Sequence, residues 1–190
     1  MSAHVYPIRD QNAAGRRGNQ GKTRQVAGFS AEGIGKMALF LSTYVNKIDK
    51  KGRVSVPAQF RAVLANENFS GIIAYASFVN PCVEACGIQR IERMAESIDS
   101  LDPFSDQRDA FATSILGGSV QLPFDSEGRV VIPEDLMKDA NLSEQAVFVG
   151  KGATFEIWSP KTFEQYAEKA RNLAKQERGL LRLSPKGGQS

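Results

Sequence analysis

Histidine is almost missing from this chain: His4 is the only one among 190 residues. Cysteine is nearly as scarce, with Cys82 and Cys86 close together and far in sequence from that histidine. A structural zinc site takes four such ligands, so this inventory provides no metal centre. With no histidine after residue 4 there is no nucleophile–base set, and no glycine-rich loop has phosphate-cradling spacing. The enzyme class is therefore the weakest, and no cofactor, metal or small-molecule substrate is expected. Apolar runs of the roughly 18 residues that cross a bilayer are also lacking, as is the charged–apolar–small pattern of a secretory leader. A cytoplasmic chain is expected, with Cys82 and Cys86 as small semi-buried thiols in a reducing compartment.

Positive charge is present, but not where the total implies. The formal net charge is +3, yet residues 1–36 hold six basic and two acidic side chains, a net of +4. The remainder is therefore close to neutral, at −1, and any electrostatic argument has to be local. Residues 1–36 are rich in Gly, Gln, Asn and Arg without helical or strand period, and cannot bury enough apolar surface to offset their ordering entropy. They are expected to be a disordered basic tail or a non-native leader, with Met37 near the native start. A basic arm holding phosphates is the functional alternative.

What the sequence does have is one stretch written twice. Asp49-Lys-Lys-Gly-Arg-Val-Ser-Val-Pro57 returns 76 residues later as Asp125-Ser-Glu-Gly-Arg-Val-Val-Ile-Pro133. Aspartate, glycine, arginine, valine and proline keep their spacing, Val56 and Ile132 are both aliphatic, and Phe60 and Leu136 match beyond the proline. A repeat of this kind divides the chain into two similar units, expected over 37–116 and 117–178, with a flexible tail over 179–190.

Each unit reads as strand, turn, strand, short helix, two strands and a longer helix. Gly52 and Gly128 supply tight reversals, while Pro57 and Pro133 end a strand and suit a helix start. In the first unit strands are expected near 40–45, 53–56, 72–75 and 83–86. A helix follows from Ile88, with Ile91, Met94, Ile98 and Leu101 recurring at helical period. A second short helix over 106–116 is expected to turn Phe111 and Ile115 inward. Gly117-Gly118 is the hinge into the second unit. There Ser159 caps a helix from Pro160 whose apolar stripe runs through Phe163, Tyr166, Ala167, Ala170, Leu173 and Ala174.

Turn, packing and helix start account for Asp49, Gly52 and Pro57 and for their counterparts Asp125, Gly128 and Pro133. They do not require arginine on an exposed strand position. An aspartate four residues before it could orient the guanidinium, and an oriented guanidinium offers paired donors to phosphate oxygens or to the acceptor edge of guanine. The doubled Asp-x-x-Gly-Arg-aliphatic-x-aliphatic-Pro, with these flanking helices, resembles the MraZ family of bacterial transcriptional regulators, within the wider AbrB-like, swapped-hairpin group. The resemblance covers about 39–177. It implies a mixed α+β, β-rich fold of two interlocking AbrB-like units, each hairpin completing its partner's small β-barrel. It further implies ring-shaped homo-oligomers and nucleoid-associated binding of double-stranded DNA at short direct repeats upstream of the cell-division and cell-wall gene cluster, including the gene's own promoter. Carried onto this sequence, the DNA contacts are Lys47, Lys50, Lys51 and Arg53, positioned by Asp49, with Arg129 as the matching position of the second copy.

The two copies differ in charge. Residues 47–61 carry Lys47, Lys50, Lys51, Arg53 and Arg61 against Asp49, a net of +4, whereas 123–137 carries Arg129 against four acids, a net of −3. Neutralising phosphates and releasing their counterions drives non-specific affinity, so the first copy is expected to contact DNA and the second chiefly to complete the fold. The rival is an oligomeric scaffold of the same fold that no longer reads DNA.

Overall fold

The structure, a computed structural model, describes Arg9–Asp10 and residues 39–181. The expectations for the rest of the leader and for residues 182–190 lie outside the described residues. Repeat one contains β2 (Thr43–Lys47), β3 (Arg53–Ser55), α1 (Ala58–Leu64), β4 (Gly71–Ala76), β5 (Val83–Cys86) and α2 (Ile88–Asp99), preceded by the two-residue β1 (Arg9–Asp10). Next come α3 (Asp106–Phe111) and a π-helical turn over Ala112–Gly117. Repeat two runs β6 (Val120–Pro123), β7 (Arg129–Val131), α4 (Glu134–Asp139), β8 (Gln145–Gly150), β9 (Phe155–Trp158), α5 (Pro160–Gln176) and a 3-10 turn over Arg178–Leu180.

The chain is mixed α+β, with a seven-stranded sheet in the order β1-β2-β8-β9-β5-β4-β6 and a two-stranded ribbon of β3 and β7. The pairing crosses between repeats. The first strand of each copy lies against a strand of the other, β2 on β8 and β6 on β4, and all of these pairs are antiparallel. β3 forms its strand ladder with β7, besides a single bridge of Val54 to Ile48 across its own turn, so that Val54 and Val130, the same position of the two motif copies, face each other. Glu84 and Glu156 face each other in the same way across β5 and β9. The repeats are thus related by a pseudo-two-fold that passes through these two pairs. It extends to the turns: Val56 N–H donates to Gly128 O at 3.1 Å and Ile132 N–H to Gly52 O at 2.9 Å. Among the described residues the ladders do not close into the barrels expected from the resemblance, because β1 and β6 are left as the ends of an open order.

Burial explains the residue patterns. β2 and β3 alternate because one face is covered, whereas Ile72, Ile73, Ala74 and Tyr75 of β4 are all buried. Ile72 and Ala74 join the main core, and Ile73 and Tyr75 pack under α2 with Cys86 and Ile91. A strand covered on both faces is expected to be continuously apolar. The centre of the main core is Phe60 of α1, 1% exposed, whose ring lies 5.3 Å from Phe40, 5.5 Å from Tyr44 and 5.0 Å from Phe155. Trp158, also buried, stacks on Tyr166 at 4.6 Å, so these aromatics belong to the interior.

Three local features depart from the sequence reading. The first strand begins at Thr43, because Ser42 takes φ 76° and leaves Phe40 only a bridge to Gly152. Phe111 does not turn inward: it is 40% exposed, while Ile115 is buried. The switch to π-helical winding at Ala112 adds residues to the turn and re-aims the positions on either side of it. On α5 only Phe163 and Ala167 of the stripe are fully buried, and Leu173 is 59% exposed.

Truncating Phe60 removes the ring on which three others lean. Phe60→Ala is expected to lower unfolding free energy by about 3–5 kcal/mol, read from urea denaturation midpoints at unchanged slope. A loss below about 1 kcal/mol, the usual range of a surface change, would show that Phe60 is not the centre of the core.

Candidate nucleic-acid interface

Both motif copies build the same clamp. In the first, Asp49 closes a turn: its backbone N–H donates to Arg53 O at 3.0 Å, and its O accepts from Gly52 N–H at 3.0 Å. Gly52 sits at φ +73°, where a side chain is strained, and an added Cβ would lie 3.0 Å from Ile132 O. The Asp49 carboxylate then takes up the donors this turn presents. Oδ1 accepts from Lys51 N–H at 2.8 Å and Arg53 N–H at 3.1 Å, and Oδ2 accepts from Arg53 Nε at 2.6 Å. Arg53 Nη2 also lies 2.6 Å from Oδ2, so one oxygen holds two guanidinium nitrogens. In the second copy Asp125 Oδ1 accepts from Glu127 N–H and Arg129 N–H, both at 2.9 Å, and Oδ2 accepts from Arg129 Nε at 2.7 Å. Gly128 takes φ +72°. Pro57 and Pro133 stand at the N-cap of α1 and α4.

These bonds set the titration of both carboxylates. Asp125 is held down to about 2, first by the Arg129 N–H and then by the Arg129 side chain. At Asp49 partial desolvation works upward, but the Arg53 N–H, the Arg53 side chain and the Lys51 N–H together outweigh it, and the net shift is downward. The Arg129 guanidinium is pushed up chiefly by its bond to Asp125, with smaller contributions from Glu127 and from Asp49 of the other turn.

Within the turn the copies differ at two positions, Lys50 against Ser126 and Lys51 against Glu127, and the second difference reaches the clamp. Lys51 in the first turn is Glu127 in the second, and Glu127 Oε2 lies 2.8 Å from Arg129 Nη1. Arg129 is therefore held by two carboxylates and Arg53 by one. On the ribbon Val54 and Val130 face inward and are buried, so Arg53, Ser55, Arg129 and Val131 form the opposite face. Lys47, Lys50 and Lys51 are exposed around the first turn. Lys50, Lys51, Arg53 and Arg129 thus belong to one ribbon and its turns, and Lys47 ends β2 just before the first turn.

Arg61 was counted with the first copy and belongs in space to the second. A Cβ on Gly128 would collide with the Arg61 guanidinium, and Arg61 Nε is buried without a hydrogen-bond partner among the described residues. Its counterpart Met137 lies over Gly52. The charge contrast between the turns is accordingly smaller than in the linear windows. Residues 47–53 carry +3, and residues 123–129 carry −1, which Arg61 brings to zero. The signal that locates Arg61 is its match to Met137 in the repeat, once the repeats are known to cross.

Among the described residues no group of His, Cys, Asp and Glu is arranged to hold a metal ion, and no helix is long and apolar enough to cross a membrane. Cys82 and Cys86 are buried and free, each pushed up to about 12 chiefly by desolvation, which leaves them as protonated packing groups.

The interlocked repeats with paired aspartate–arginine turns define a class of small duplicated β-ribbon proteins. Residues 115–183 match the family model described as "MraZ protein, putative antitoxin-like". The chain is 56% identical over 146 residues to the transcriptional regulator MraZ of Rickettsia felis and, equally, to that of Rickettsia akari, covering 77% of this chain and 98% of each relative. The MraZ of Rickettsia typhi is 55% identical over the same coverage. The chain belongs to the MraZ family.

The clamps have a pH signature. Because the folded-state pKa of Asp125 lies below its ordinary 3.8, the clamp contributes fully above that value and is lost as pH falls through it toward 2. Carboxyl-carbon NMR titration should place the Asp125 midpoint near 2 and that of Asp49 below 3.8. Midpoints at or above 3.8 for both would mean that the clamps do not persist in solution.

Proposed function

We propose that this chain is a sequence-specific DNA-binding transcriptional regulator with an AbrB-like, swapped-hairpin arrangement of two units, 37–116 and 117–178. Its sites are short direct repeats of double-stranded DNA upstream of the cell-division and cell-wall gene cluster, its own promoter included. It works in the cytoplasm, associated with the nucleoid, as a ring-shaped homo-oligomer. The name carried by its relatives, transcriptional regulator, supports the regulatory part of this reading.

The observation that carries the reading is Arg53, clamped on the outer face of a two-stranded ribbon and flanked by exposed Lys47, Lys50 and Lys51. The major groove admits such a ribbon, and an arginine fixed by a carboxylate presents its remaining donors in one orientation. The lysines supply the phosphate contacts beside it. Arg129 shares the ribbon face, but Glu127 occupies a nitrogen that Arg53 leaves unbridged, so the second turn has a reduced part in readout. A single ribbon makes few contacts, and a ring setting several along successive repeats gains by effective concentration.

Fluorescence anisotropy against the DNA upstream of the gene tests this at several salt concentrations. Arg53→Ala should weaken binding by about 1–3 kcal/mol, roughly 5- to 150-fold, and relax sequence preference. Lys50→Ala and Lys51→Ala should each lower the salt slope by about 1 with little change in preference. Arg129→Ala should lose less than Arg53→Ala. Equal losses would remove the division of labour, and no binding above scrambled DNA would favour a scaffold that reads no sequence.

A further inference from the structure

The pseudo-two-fold fails where the two long helices are covered. α2 and α5 are counterparts, starting at Ile88 and Pro160, and Ile91, Met94, Ile98 and Leu101 correspond to Phe163, Tyr166, Ala170 and Leu173. In repeat one the stripe is covered by the segment that follows: Ile115, Ala112 and Leu116 of the π-helical turn share a cluster with Ile91 and Ile98. In repeat two no described segment takes that place. α5 runs 17 residues against 12 for α2, and its far end is open. Leu173 is 59% exposed there, and Leu180 and Leu181 just beyond it are 77% and 84% exposed. Residues 169–178 around these leucines carry four basic side chains against one acidic, a net of +3.

A second open apolar surface lies on the α2 side of the pseudo-dyad. Phe104, in the turn from α2 to α3, is 95% exposed. Phe78 and Val79, 61% and 71% exposed, stand at the β4–β5 turn, with the Phe78 ring 6.5 Å from that of Phe111. Residues 96–111 hold five acidic side chains against Arg108, a net of −4, and Arg108 is bound by Asp99 at 2.7 Å. This corner is acidic and aromatic, whereas the end of α5 is basic and rich in leucine.

We propose that the two surfaces are halves of one contact between copies of this chain, the basic leucine end of α5 docking on the acidic aromatic corner between α2 and α3 of the next copy. This rests on the homo-oligomer reading above and assigns the surfaces that build it. Opposite charge around two apolar patches selects a second copy as the occupant, because the same chain carries both halves and no described residue covers either. Since the halves differ, the contact is head-to-tail and repeats from copy to copy, as a ring requires, while a self-complementary contact would stop at two.

Native mass spectrometry of the full chain decides it. Wild type should assemble beyond a dimer. Leu173→Asp/Leu180→Asp and, separately, Phe104→Asp should each shift the protein to monomer with at least a tenfold weaker association constant, while circular dichroism confirms that these exposed changes leave the fold intact. Mixing the two variants is the sharper arm: each retains one working half, so the mixture should give heterodimers and nothing larger. A mixture that recovers the wild-type mass, or variants that keep it alone, would overturn the surface. If the leucine variant keeps its mass but binds DNA more weakly, the end of α5 serves DNA instead. A monomeric wild type fails earlier, removing the oligomer reading and this contact with it.

Discussion

The cross-repeat pairing of β3 with β7, centred on Val54 and Val130, is the constraint on which the rest depends. Each strand is three residues long, and within its own repeat it is tied only at the turn, by Asp49 N–H to Arg53 O and Asp125 N–H to Arg129 O and by the Ile48–Val54 bridge. Among the described residues the ladder of each motif copy therefore comes from the other repeat. The same dependence holds for β2 on β8 and β6 on β4. The core follows from it: residues of both copies, from Val54 and Phe60 to Val130 and Leu136, occupy one cluster. Sequence division into two units is therefore not a division into two cores. The same symmetry sets Glu84 opposite Glu156, and each carboxylate needs its own donors. Tyr75 and Ser77 hydroxyls donate to Glu84 at 2.9 and 2.7 Å, while Trp158 Nε1 donates to Glu156 at 2.9 Å and Lys151 stands 3.2 Å from it. A symmetric backbone thus carries unequal polar solutions, which satisfy both buried or half-buried groups.

Unequal decoration of equal geometry also describes the turns. The clamp distances agree to within about 0.2 Å between the copies, so the backbone does not distinguish Arg53 from Arg129. The two residues between aspartate and glycine do, Lys50-Lys51 in one copy and Ser126-Glu127 in the other. Lys51 adds a cation beside Arg53, and Glu127 adds an acceptor that holds a nitrogen of Arg129. Exposed ion pairs of this kind contribute little to stability. Their effect is on which donors point outward and with what local potential, and that is the quantity a polyanion senses.

Much of this was legible in the sequence because it is local. The turns at Gly52 and Gly128, the strands after them, the helix starts after Pro57 and Pro133 and the cap at Ser159 depend on neighbours within a few residues. The aspartate–arginine pairing was readable for the same reason, since both partners lie in one turn. What escaped depends on residues far apart in the chain. Arg61 looked like part of a basic run until the crossing of the strands set it against Gly128. Phe111 kept helical period on paper, but π-helical winding after it changed the phase. The α5 stripe is a continuous pattern of which the chain's own core uses only the first half, because periodicity records that a face is apolar and not what covers it.

Carrying both repeats in one chain is what lets the pseudo-dyad support direction. In a homodimer of single repeats, the two positions related by the dyad would have one sequence, so the ends of the two long helices would be alike in charge. Within one chain they are free to separate, and they have: −4 over residues 96–111 and +3 over residues 169–178. The same freedom separates Lys51 from Glu127. A protein with opposite signs on two related faces has a front and a back, whereas an exactly two-fold particle has neither. Direct repeats in DNA also have a direction, unlike palindromes, whose symmetry matches a two-fold protein. In the proposed head-to-tail assembly an oriented subunit would present the same turn at each step, which is the geometry a run of direct repeats requires.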